Sequence, residues 1–272
     1  MATHAHYAIT EDMDPRAAGG KYSGTCVGGI VVSCRAAALN AKKRLVRKIQ
    51  QDSLKQLSLT TQAVLVRSPT EPYYSYHMTI TSEYYKQKWI ACHRYSDFYR
   101  LRKKVLEMLE LHAKMNCPCC QTVLQQIKKF DFPGREIFKR TDAEKQVTER
   151  LPMLEDFTVA LCQFLSSEGL LAHCRNILTV QNKVKEFLQF PLAHEDQHLR
   201  AIRSLQYVDP RDVGVDTEGC PICLNDWGEL DGNQLVLSLC GHFFHEHCIN
   251  EWYDPRYTTR FDCPMCRQIA GL

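Results

Sequence analysis

The sequence predicts an α+β protein in which a three-stranded antiparallel meander is followed by helices and then by a small module rich in cysteine and histidine. Three observations support this order. Runs of β-branched and aromatic residues lie between residues 57 and 94. Apolar residues then recur with a helical period as far as residue 190, and nine Cys and His residues, eight of them in a repeated spacing pattern, lie from residue 220 to residue 266.

Composition places the chain among ordinary globular proteins. Its 272 residues are 44% hydrophobic and 24% charged, which allows one or two domains with a sizeable core. A net charge of +3 gives no reason to expect a nucleic-acid partner. Fourteen cysteines without an N-terminal charged and apolar leader indicate a reducing compartment, where clustered thiols usually bind metal. The apolar run 26–39 is too short to span a bilayer and contains Arg35, so we expect a soluble chain.

The N-terminal segment, residues 1–50, is expected to be largely disordered, because its Gly, Ala and Thr residues show no lasting periodicity. The basic stretch KKRLVRK, residues 42–48, is compatible with a helix. A membrane-surface segment, a nuclear-import signal and a solvated helix face all fit it, and the pattern favours the solvated face.

Residues 51–195 are predicted to form one α+β domain. The runs LSLTTQAVLV, YSYHMTIT and KWIACHR predict its strands, and SPTEP and SEYYKQ separate them. Helical spacing predicts one helix near Phe98–Leu111, a second near Leu151–Phe164 and a third from Leu178 to Phe190. The polar runs AHEDQH and DPRD then predict a linker over residues 196–217. The sequence of this linker is compatible with some helical structure.

The C-terminal module, residues 218–270, contains the strongest pattern in the chain. Two C-x2-C pairs flank a C-x-H-x2-H-x2-C run, and the eight positions are Cys220, Cys223, Cys240, His242, His245, Cys248, Cys263 and Cys266. Zinc prefers four thiolate or imidazole ligands in a tetrahedron, so eight ligands predict two zinc ions in closed structural sites. The alternative, reduced buried cysteines, does not account for the repeated spacing. Spacing alone leaves open which pairs share an ion.

The runs CPICL, LCGHFFHEHCINEW and CPMCR resemble the RING finger of the two-histidine type. That resemblance implies interleaved sites and leaves out His247, which we expect to be a surface residue that points away from the ion. The implied sets are Cys220, Cys223, His245 and Cys248 for one zinc, and Cys240, His242, Cys263 and Cys266 for the other.

RING fingers of this kind act as ubiquitin ligases, which dock a ubiquitin-conjugating enzyme and position its thioester-linked ubiquitin. The resemblance implies that Ile222, Trp252 and Pro264 form the docking groove and that Arg267 is the cationic linchpin that contacts both partners. The alternative is that Ile222 and Trp252 only fill a small core. The spacer between Trp252 and Cys263 is longer than is common in the family, which could reshape the rim of the groove.

The runs HRYSDFYRL, FPGR and TERLPMLEDF resemble the phox homology (PX) domain, a phosphoinositide-binding fold. The resemblance implies that Arg94 binds the 3-phosphate, that Tyr95 packs against the inositol ring, that Arg135 contacts the 1-phosphate and that Arg150 holds ring hydroxyls. The alternative is a degenerate PX fold that binds proteins.

An insertion, LHAKMNCPCCQTVL, precedes the FPGR run and contains His112, Cys117, Cys119 and Cys120. The alternatives are a third zinc site and a plain Cys-rich loop. The adjacent Cys119 and Cys120 point in different directions and the spacing matches no familiar knuckle, which favours the loop. Four apolar residues near FPGR could insert into a bilayer or belong to the core: Phe130, Phe132, Ile137 and Phe138.

Together these resemblances predict a ubiquitin ligase that is recruited from the cytoplasm to endosomal or vacuolar membranes carrying phosphatidylinositol 3-phosphate. Its expected partners are a conjugating enzyme, ubiquitin, a phosphoinositide-containing membrane surface and a protein substrate. The alternative is a membrane adaptor without enzymatic activity. A zinc protein that binds nucleic acid is disfavoured, because the ligand region lacks a dense Lys/Arg stripe and the run DWGELDGN is acidic.

Overall fold

Three strands form an antiparallel meander in the order β1-β2-β3, which confirms the prediction. The structure is a computed structural model, and it describes residues 30–69, 71–134, 143–209, 219–227 and 234–271. The strands are β1 (Leu57–Val66), β2 (Tyr73–Ser82) and β3 (Gln87–His93). Tyr76, Met78 and Ile80 alternate along β2 and are all buried, because successive side chains of a strand point to opposite faces.

Helices pack on the meander and complete the first hydrophobic core. α2 (Tyr95–Ala113) buries Phe98, Leu101, Val105 and Leu109 at the predicted helical spacing. Further along the chain lie α4 (Ala143–Leu165), α5 (Leu170–His173) and α6 (Arg175–Phe187). Between α2 and α4 lies α3 (Pro118–Lys129). We call β1–β3 and α2–α6 together the N-terminal body.

The insertion before the FPGR run is helical, so the prediction of a plain loop is wrong. α2 extends to Ala113, and α3 (Pro118–Lys129) follows it. Pro118 stands in the first turn of α3, where its missing N–H leaves no hydrogen bond unmade. Cys120, Val123 and Ile127 then fall on the buried side of α3. The Cys-rich insertion therefore supplies an amphipathic helix to the core.

A long helix, α1 (Ile30–Lys55), precedes the sheet where the sequence predicts a largely disordered segment as far as residue 50. The helix forms because its C-terminal half buries apolar residues: Ile49 and Leu54 are 3% and 0% exposed. Within the basic stretch 42–48, the side chain of Lys42 donates to the carbonyl oxygen of Arg203 at 2.6 Å. The other basic residues of that stretch are exposed, as a solvated face requires. Residues 1–29 lie outside the described residues.

The segment that the sequence predicts to be a linker contains regular structure. α7 (Leu192–Ser204) covers its first part and β4 (Gln206–Val208) follows directly. α7 buries Glu195, His198, Leu199 and Ile202, which recur at the helical period although the stretch reads as polar. The polar side chains are buried because each has a partner, and the sequence alone does not show those partners.

The C-terminal module, in which the structure describes residues 219–227 and 234–271, is tied to the rest of the chain by β4. β4 pairs with β5 (Leu235–Leu237), and β5 pairs with β6 (Phe243–His245), so one strand of this sheet comes from the connector. α8 (Glu246–Trp252) completes the module. A second hydrophobic core joins buried residues of α1, the turn after β2, α7 and the module: Ile49, Tyr85, Leu199, Phe244, Tyr253 and Phe261 among them.

No helix within the described ranges has the length and apolar character needed to cross a bilayer.

Candidate metal centres, docking face and headgroup site

The first ligand set consists of Cys220, Cys223, His245 and Cys248, whose ligand atoms all lie within 4.8 Å of one another. A tight turn aims the two cysteines at one point: the Leu224 N–H donates to the Cys220 carbonyl at 2.8 Å, and Leu224 has a φ of 62°. His245 ends β6, and Cys248 lies in the first turn of α8. The Nδ1 atom of His245 lies 3.3 Å from the Sγ of Cys223, so the imidazole faces the thiols.

The second set consists of Cys240, His242, Cys263 and Cys266, again with ligand atoms within 4.8 Å of one another. The Nδ1 atom of His242 lies 3.3 Å from the Sγ of Cys240 and 3.6 Å from the Sγ of Cys263. The last pair repeats the turn of the first pair: the Arg267 N–H donates to the Cys263 carbonyl at 2.9 Å, and Arg267 has a φ of 61°.

Both sets fit zinc. Each offers four nitrogen or sulfur atoms and no carboxylate, and zinc–sulfur bonds of about 2.3 Å place ligand atoms roughly 3.7 Å apart around one ion. The pairs interleave along the chain, first with third and second with fourth, as the RING resemblance implies. Two bound zinc ions are therefore the cofactors of this module, and no position is left open for a substrate.

Ser238 supports the second set. Its hydroxyl lies 3.0 Å from the Sγ of Cys240 and 2.9 Å from the carbonyl oxygen of His242, so its single hydrogen can be donated to either acceptor. Burial raises the pKa of the Cys240 thiol, but hydrogen bonds from Ser238 and His242 outweigh burial and bring the pKa down to about 6. Zinc binds the thiolate form, so a bound ion would hold the thiols of this set deprotonated.

His247 belongs to neither set. It is exposed, as the sequence predicts, but its Nε2 atom lies 3.3 Å from the Sγ of Cys248. The imidazole therefore does not point away from the ligand cluster, contrary to the prediction.

The predicted docking residue Trp252 and the predicted linchpin Arg267 lie side by side. The Trp252 indole N–H donates to the Asp262 carbonyl at 3.0 Å, and the Arg267 guanidinium lies 5.2 Å from the Trp252 ring centroid. Both residues line a surface groove of about 590 Å³, whose other walls come from Glu251 of α8 and from the long spacer before Cys263. Ile222 and Pro264 are each half-buried.

Ile222 and Trp252 also pack against the second hydrophobic core, so the core-filling alternative holds for part of each side chain. The remaining part of each is open to a partner. Sequence reasoning did not single out Leu224 and Met265, which are 82% and 54% exposed. Their exposure could have been predicted from the sequence, because an apolar residue inside or directly after a C-x2-C turn has little hydrophobic core to pack against.

The residues that the PX resemblance assigns to a headgroup lie around the N-terminus of α2. Arg94 caps that helix and is exposed, and its guanidinium lies 3.4 Å from the centroid of the Tyr73 ring. Its backbone N–H donates to the Asp97 carboxylate at 2.7 Å. The side chain is therefore held over β2 by an aromatic face rather than by an acidic residue.

Tyr95 and Arg150 meet at the FPG segment, residues 132–134. The Tyr95 hydroxyl donates to the Pro133 carbonyl at 2.7 Å, and the Arg150 guanidinium donates to the Gly134 carbonyl at 3.2 Å. The same guanidinium lies 4.0 Å from the centroid of the Tyr95 ring. Arg135 lies outside the described residues.

Arg102 is a basic residue of this region that sequence reasoning did not single out. Its guanidinium lies 5.2 Å from the centroid of the Phe132 ring, and within the described chain its Nε atom is buried without a hydrogen-bond partner. Phe132 and Phe130 both contact Phe157, with ring centroids 4.9 and 6.0 Å apart, so these two phenylalanines belong to the core. Ile137 and Phe138 lie outside the described residues.

The C-terminal module is similar to proteins of one known family. The family model for the Ring finger domain matches residues 218–267. The probable E3 ubiquitin-protein ligase ATL44 of Arabidopsis thaliana is 46% identical over 55 residues, which are 20% of this chain and 26% of that protein. Anaphase-promoting complex subunit 11 of Saccharomyces cerevisiae is 40% identical over 72 residues, or 24% of this chain and 43% of that protein. The chain thus covers less than half the length of either relative.

One solved structure is similar over a wider range. The crystal structure of the mouse SNX19 PX domain with bound sulphate ion covers 49% of this chain and 97% of its own, at 20% identity and a TM-score of 0.30, which is a weak likeness. The family match over residues 218–267 coincides with two complete and interleaved ligand sets. The chain therefore carries a C-terminal RING finger domain of the two-histidine type.

Proposed function

We propose that this protein is a RING-type ubiquitin ligase that acts by docking a conjugating enzyme and forms no covalent intermediate with ubiquitin. The observation that carries the proposal is the arrangement of Trp252 and Arg267. An indole and an exposed guanidinium, 5.2 Å apart, share one groove although neither binds zinc. A purely structural zinc module has no need of this pair on its surface.

The proposed mechanism is one of positioning. The six RING cysteines are zinc ligands and are thereby unavailable as nucleophiles. Ile222, Trp252 and Pro264 present apolar surface to the conjugating enzyme, and Arg267 bridges the enzyme and its ubiquitin with a planar group of five N–H donors. Restricting a flexible thioester conjugate to a reactive pose lowers the entropic part of the barrier to attack by a lysine.

We propose further that the N-terminal body binds a phosphoinositide, with phosphatidylinositol 3-phosphate as the preferred lipid, and so places the ligase at endosomal or vacuolar membranes. Two guanidinium groups support this proposal. Arg94 and Arg150 each lie on a tyrosine ring, at 3.4 and 4.0 Å from the centroids, and neither forms an ion pair with a carboxylate among the described residues. Their charge is therefore free to bind phosphate.

The second candidate is a membrane adaptor without ligase activity. One contact favours it: the Arg267 guanidinium lies 4.0 Å from the Asp262 carboxylate and also faces Trp252, so it has partners within its own chain. That contact is weak, because the Arg267 side chain is 64% exposed. Replacing the Arg267–Asp262 contact by a contact between Arg267 and ubiquitin would therefore cost little free energy.

The deciding experiment follows the discharge of preformed ubiquitin thioesters onto free lysine in the presence of the full chain. A panel of conjugating enzymes is needed because the cognate enzyme is not identified. We expect at least one enzyme to be accelerated by the wild type and not by a zinc-ligand variant. If the zinc-loaded wild type accelerates none of them, the adaptor takes the place of the ligase.

A further inference from the structure

A third cluster of metal-binding side chains lies in the N-terminal body, away from both RING sites. It consists of His112, Cys117, Cys120 and Cys174, whose ligand atoms all lie within 4.8 Å of one another. His112 lies in the last turn of α2, Cys117 caps the start of α3, Cys120 lies in its first turn, and Cys174 lies between α5 and α6. The cluster therefore joins elements that are distant in sequence.

The distances inside this cluster match those of the RING sites. The Nδ1 atom of His112 lies 3.3 Å from the Sγ of Cys120 and 3.6 Å from the Sγ of Cys174. In the second RING set, the Nδ1 atom of His242 has the same two distances, 3.3 and 3.6 Å, to its cysteine neighbours. Four such atoms around one point form the cage that a tetrahedral ion requires.

Neither a disulfide nor a general accumulation of cysteines accounts for the cluster. The Sγ atoms of Cys120 and Cys174 are 3.6 Å apart, whereas a disulfide requires about 2.05 Å. That distance is instead close to the roughly 3.7 Å expected between two thiolates on one zinc. Cys119, which is adjacent to Cys120 in sequence, contacts the thiol of Cys117 but does not belong to the set of four ligand atoms that are all close to one another.

The surroundings also suit a bound cation. The Asn176 amide donates to the Sγ of Cys120 at 3.5 Å and to the carbonyl of Met108 at 3.2 Å, so it can orient a thiolate from behind. Cys120 and Cys174 are 0% and 4% exposed, while His112 and Cys117 are half-buried and close the outer side. Three sulfurs and one nitrogen, with no carboxylate, select zinc over calcium or magnesium.

We propose that His112, Cys117, Cys120 and Cys174 bind a third zinc ion, which is structural. Four protein ligands leave no open coordination position, so the site holds structure rather than carrying out chemistry. The ion would fix the connection between α2 and α3 to the junction between α5 and α6. This inference is independent of the ligase and lipid proposals, because it concerns neither the RING sites nor Arg94.

Zinc stoichiometry of the full chain tests the proposal. We expect three zinc ions per wild-type chain, two for His112→Ala and three for Cys119→Ser, which is the matched control for loss of a neighbouring thiol. His112 is half-buried and near the end of α2, so its removal leaves the core intact. His112→Cys supplies a fourth thiolate and is expected to restore the third ion.

Cobalt substitution gives a second readout. Each tetrahedral thiolate site adds visible cobalt absorption, so the His112→Ala chain should lose about one third of the wild-type signal. Two zinc ions in the wild type, unchanged by His112→Ala, would overturn the proposal. So would a disulfide between Cys120 and Cys174 in the purified chain, identified by peptide mapping without reduction.

Discussion

The imidazole of His198 lies almost parallel to the ring of Phe261, with centroids 4.5 Å apart and an interplanar angle of 4°. His198 belongs to α7, and Phe261 belongs to the spacer that precedes the last RING ligands. Both side chains are buried, at 3% and 0% exposure. The Tyr85 hydroxyl, from the turn after β2, lies 3.4 Å from the His198 Nδ1 atom. This contact therefore joins the N-terminal body, the connector and the RING domain.

Acid is expected to weaken this contact. The pKa of His198 is lowered from 6.5 to about 4, mainly by burial and to a smaller extent by the charge of His194, while Asp254 opposes the shift. Because the unfolded state takes up the proton first, stability is complete above pH 6.5 and is lost as pH falls toward 4. At pH 5.5 the loss attributable to His198 is on the order of 1 kcal/mol.

Urea unfolding at about pH 7.5 and about pH 5.5 measures this loss. His198→Phe keeps an aromatic ring on Phe261 and should show a correspondingly smaller fall between the two pH values. Zinc content must be followed in both samples, because ligand protonation also destabilises the RING. An identical fall in His198→Phe would assign the pH dependence to other titratable groups near this site. The neighbouring candidate is His194, whose pKa is also lowered from 6.5 by burial.

A buried ion pair fixes α7 to the N-terminal body. The Lys185 ammonium lies 2.6 Å from the Glu195 carboxylate, and the Ser53 hydroxyl of α1 donates to the same oxygen at 2.6 Å. Burial lowers the pKa of Lys185, and the charge of Glu195 opposes that effect. Glu195→Ala leaves a buried ammonium without its counter-charge, so we expect the free energy of unfolding to fall by about 3–5 kcal/mol.

The matched control is Glu186→Ala on α6. Glu186 pairs with Lys183, but both side chains are about half exposed, at 54% and 44%, so this loss should be under ~1 kcal/mol. The double variant Lys185→Met with Glu195→Leu should recover most of the stability, because apolar groups of similar volume fill the same site. Equal effects of Glu195→Ala and Glu186→Ala in urea unfolding would contradict the role of the buried pair.

Zinc is expected to be required for the RING fold but not for the meander. Cys223→Ser removes a ligand of the first set, so at least one zinc ion per chain should be lost and residues 219–271 should lose their amide protection. β1–β3 should keep theirs, because their buried apolar side chains belong to the first hydrophobic core, and only Leu57 and Trp89 of these strands also pack against the second. Elemental analysis measures the loss of zinc, and hydrogen exchange with mass spectrometry measures the loss of amide protection. Retention of all zinc would contradict the assigned ligand set.

Arg94 is expected to carry a large part of lipid affinity. Arg94→Ala should weaken flotation with liposomes containing phosphatidylinositol 3-phosphate by about 30-fold, which corresponds to loss of ~2 kcal/mol from a charge-assisted pair. Arg100→Ala, which removes an exposed guanidinium from the same helix, is the control for net charge. Equal flotation of the two variants would exclude the Arg94 site, and absence of wild-type flotation would exclude lipid binding.

Substitutions of Trp252 and Arg267 are expected to have different effects, the first on binding of the conjugating enzyme and the second on activation of its ubiquitin thioester. Trp252→Ala removes an apolar anchor and should weaken binding of the conjugating enzyme by ~2 kcal/mol. Arg267→Ala should leave that affinity nearly unchanged and slow thioester discharge, because Arg267 is exposed and binds no zinc. Affinity and discharge rate are measured on the same preparations. If Arg267→Ala discharges ubiquitin as fast as the wild type, the linchpin role is wrong.

The sequence by itself determined features that depend on local spacing. A two-residue gap between ligands favours a tight turn, and a run of β-branched and aromatic residues between turn signals favours a strand. The RING ligands and the meander could therefore be predicted without knowledge of their neighbours. The pairing of ligands between the two RING sites came from the family resemblance, because spacing leaves it open. Arg94 and Arg150 could be singled out only in the same way.

Tertiary structure decided every feature whose partners are distant in the chain. α7 reads as a polar linker until Lys185 and Ser53 are found around Glu195, since a charged side chain is buried only where a counter-charge meets it. Cys174 shows no ligand spacing, because its cluster partner Cys120 lies 54 residues away. Folding brings such groups together through the packing of whole helices, and that packing depends on the summed burial of many side chains rather than on any short motif.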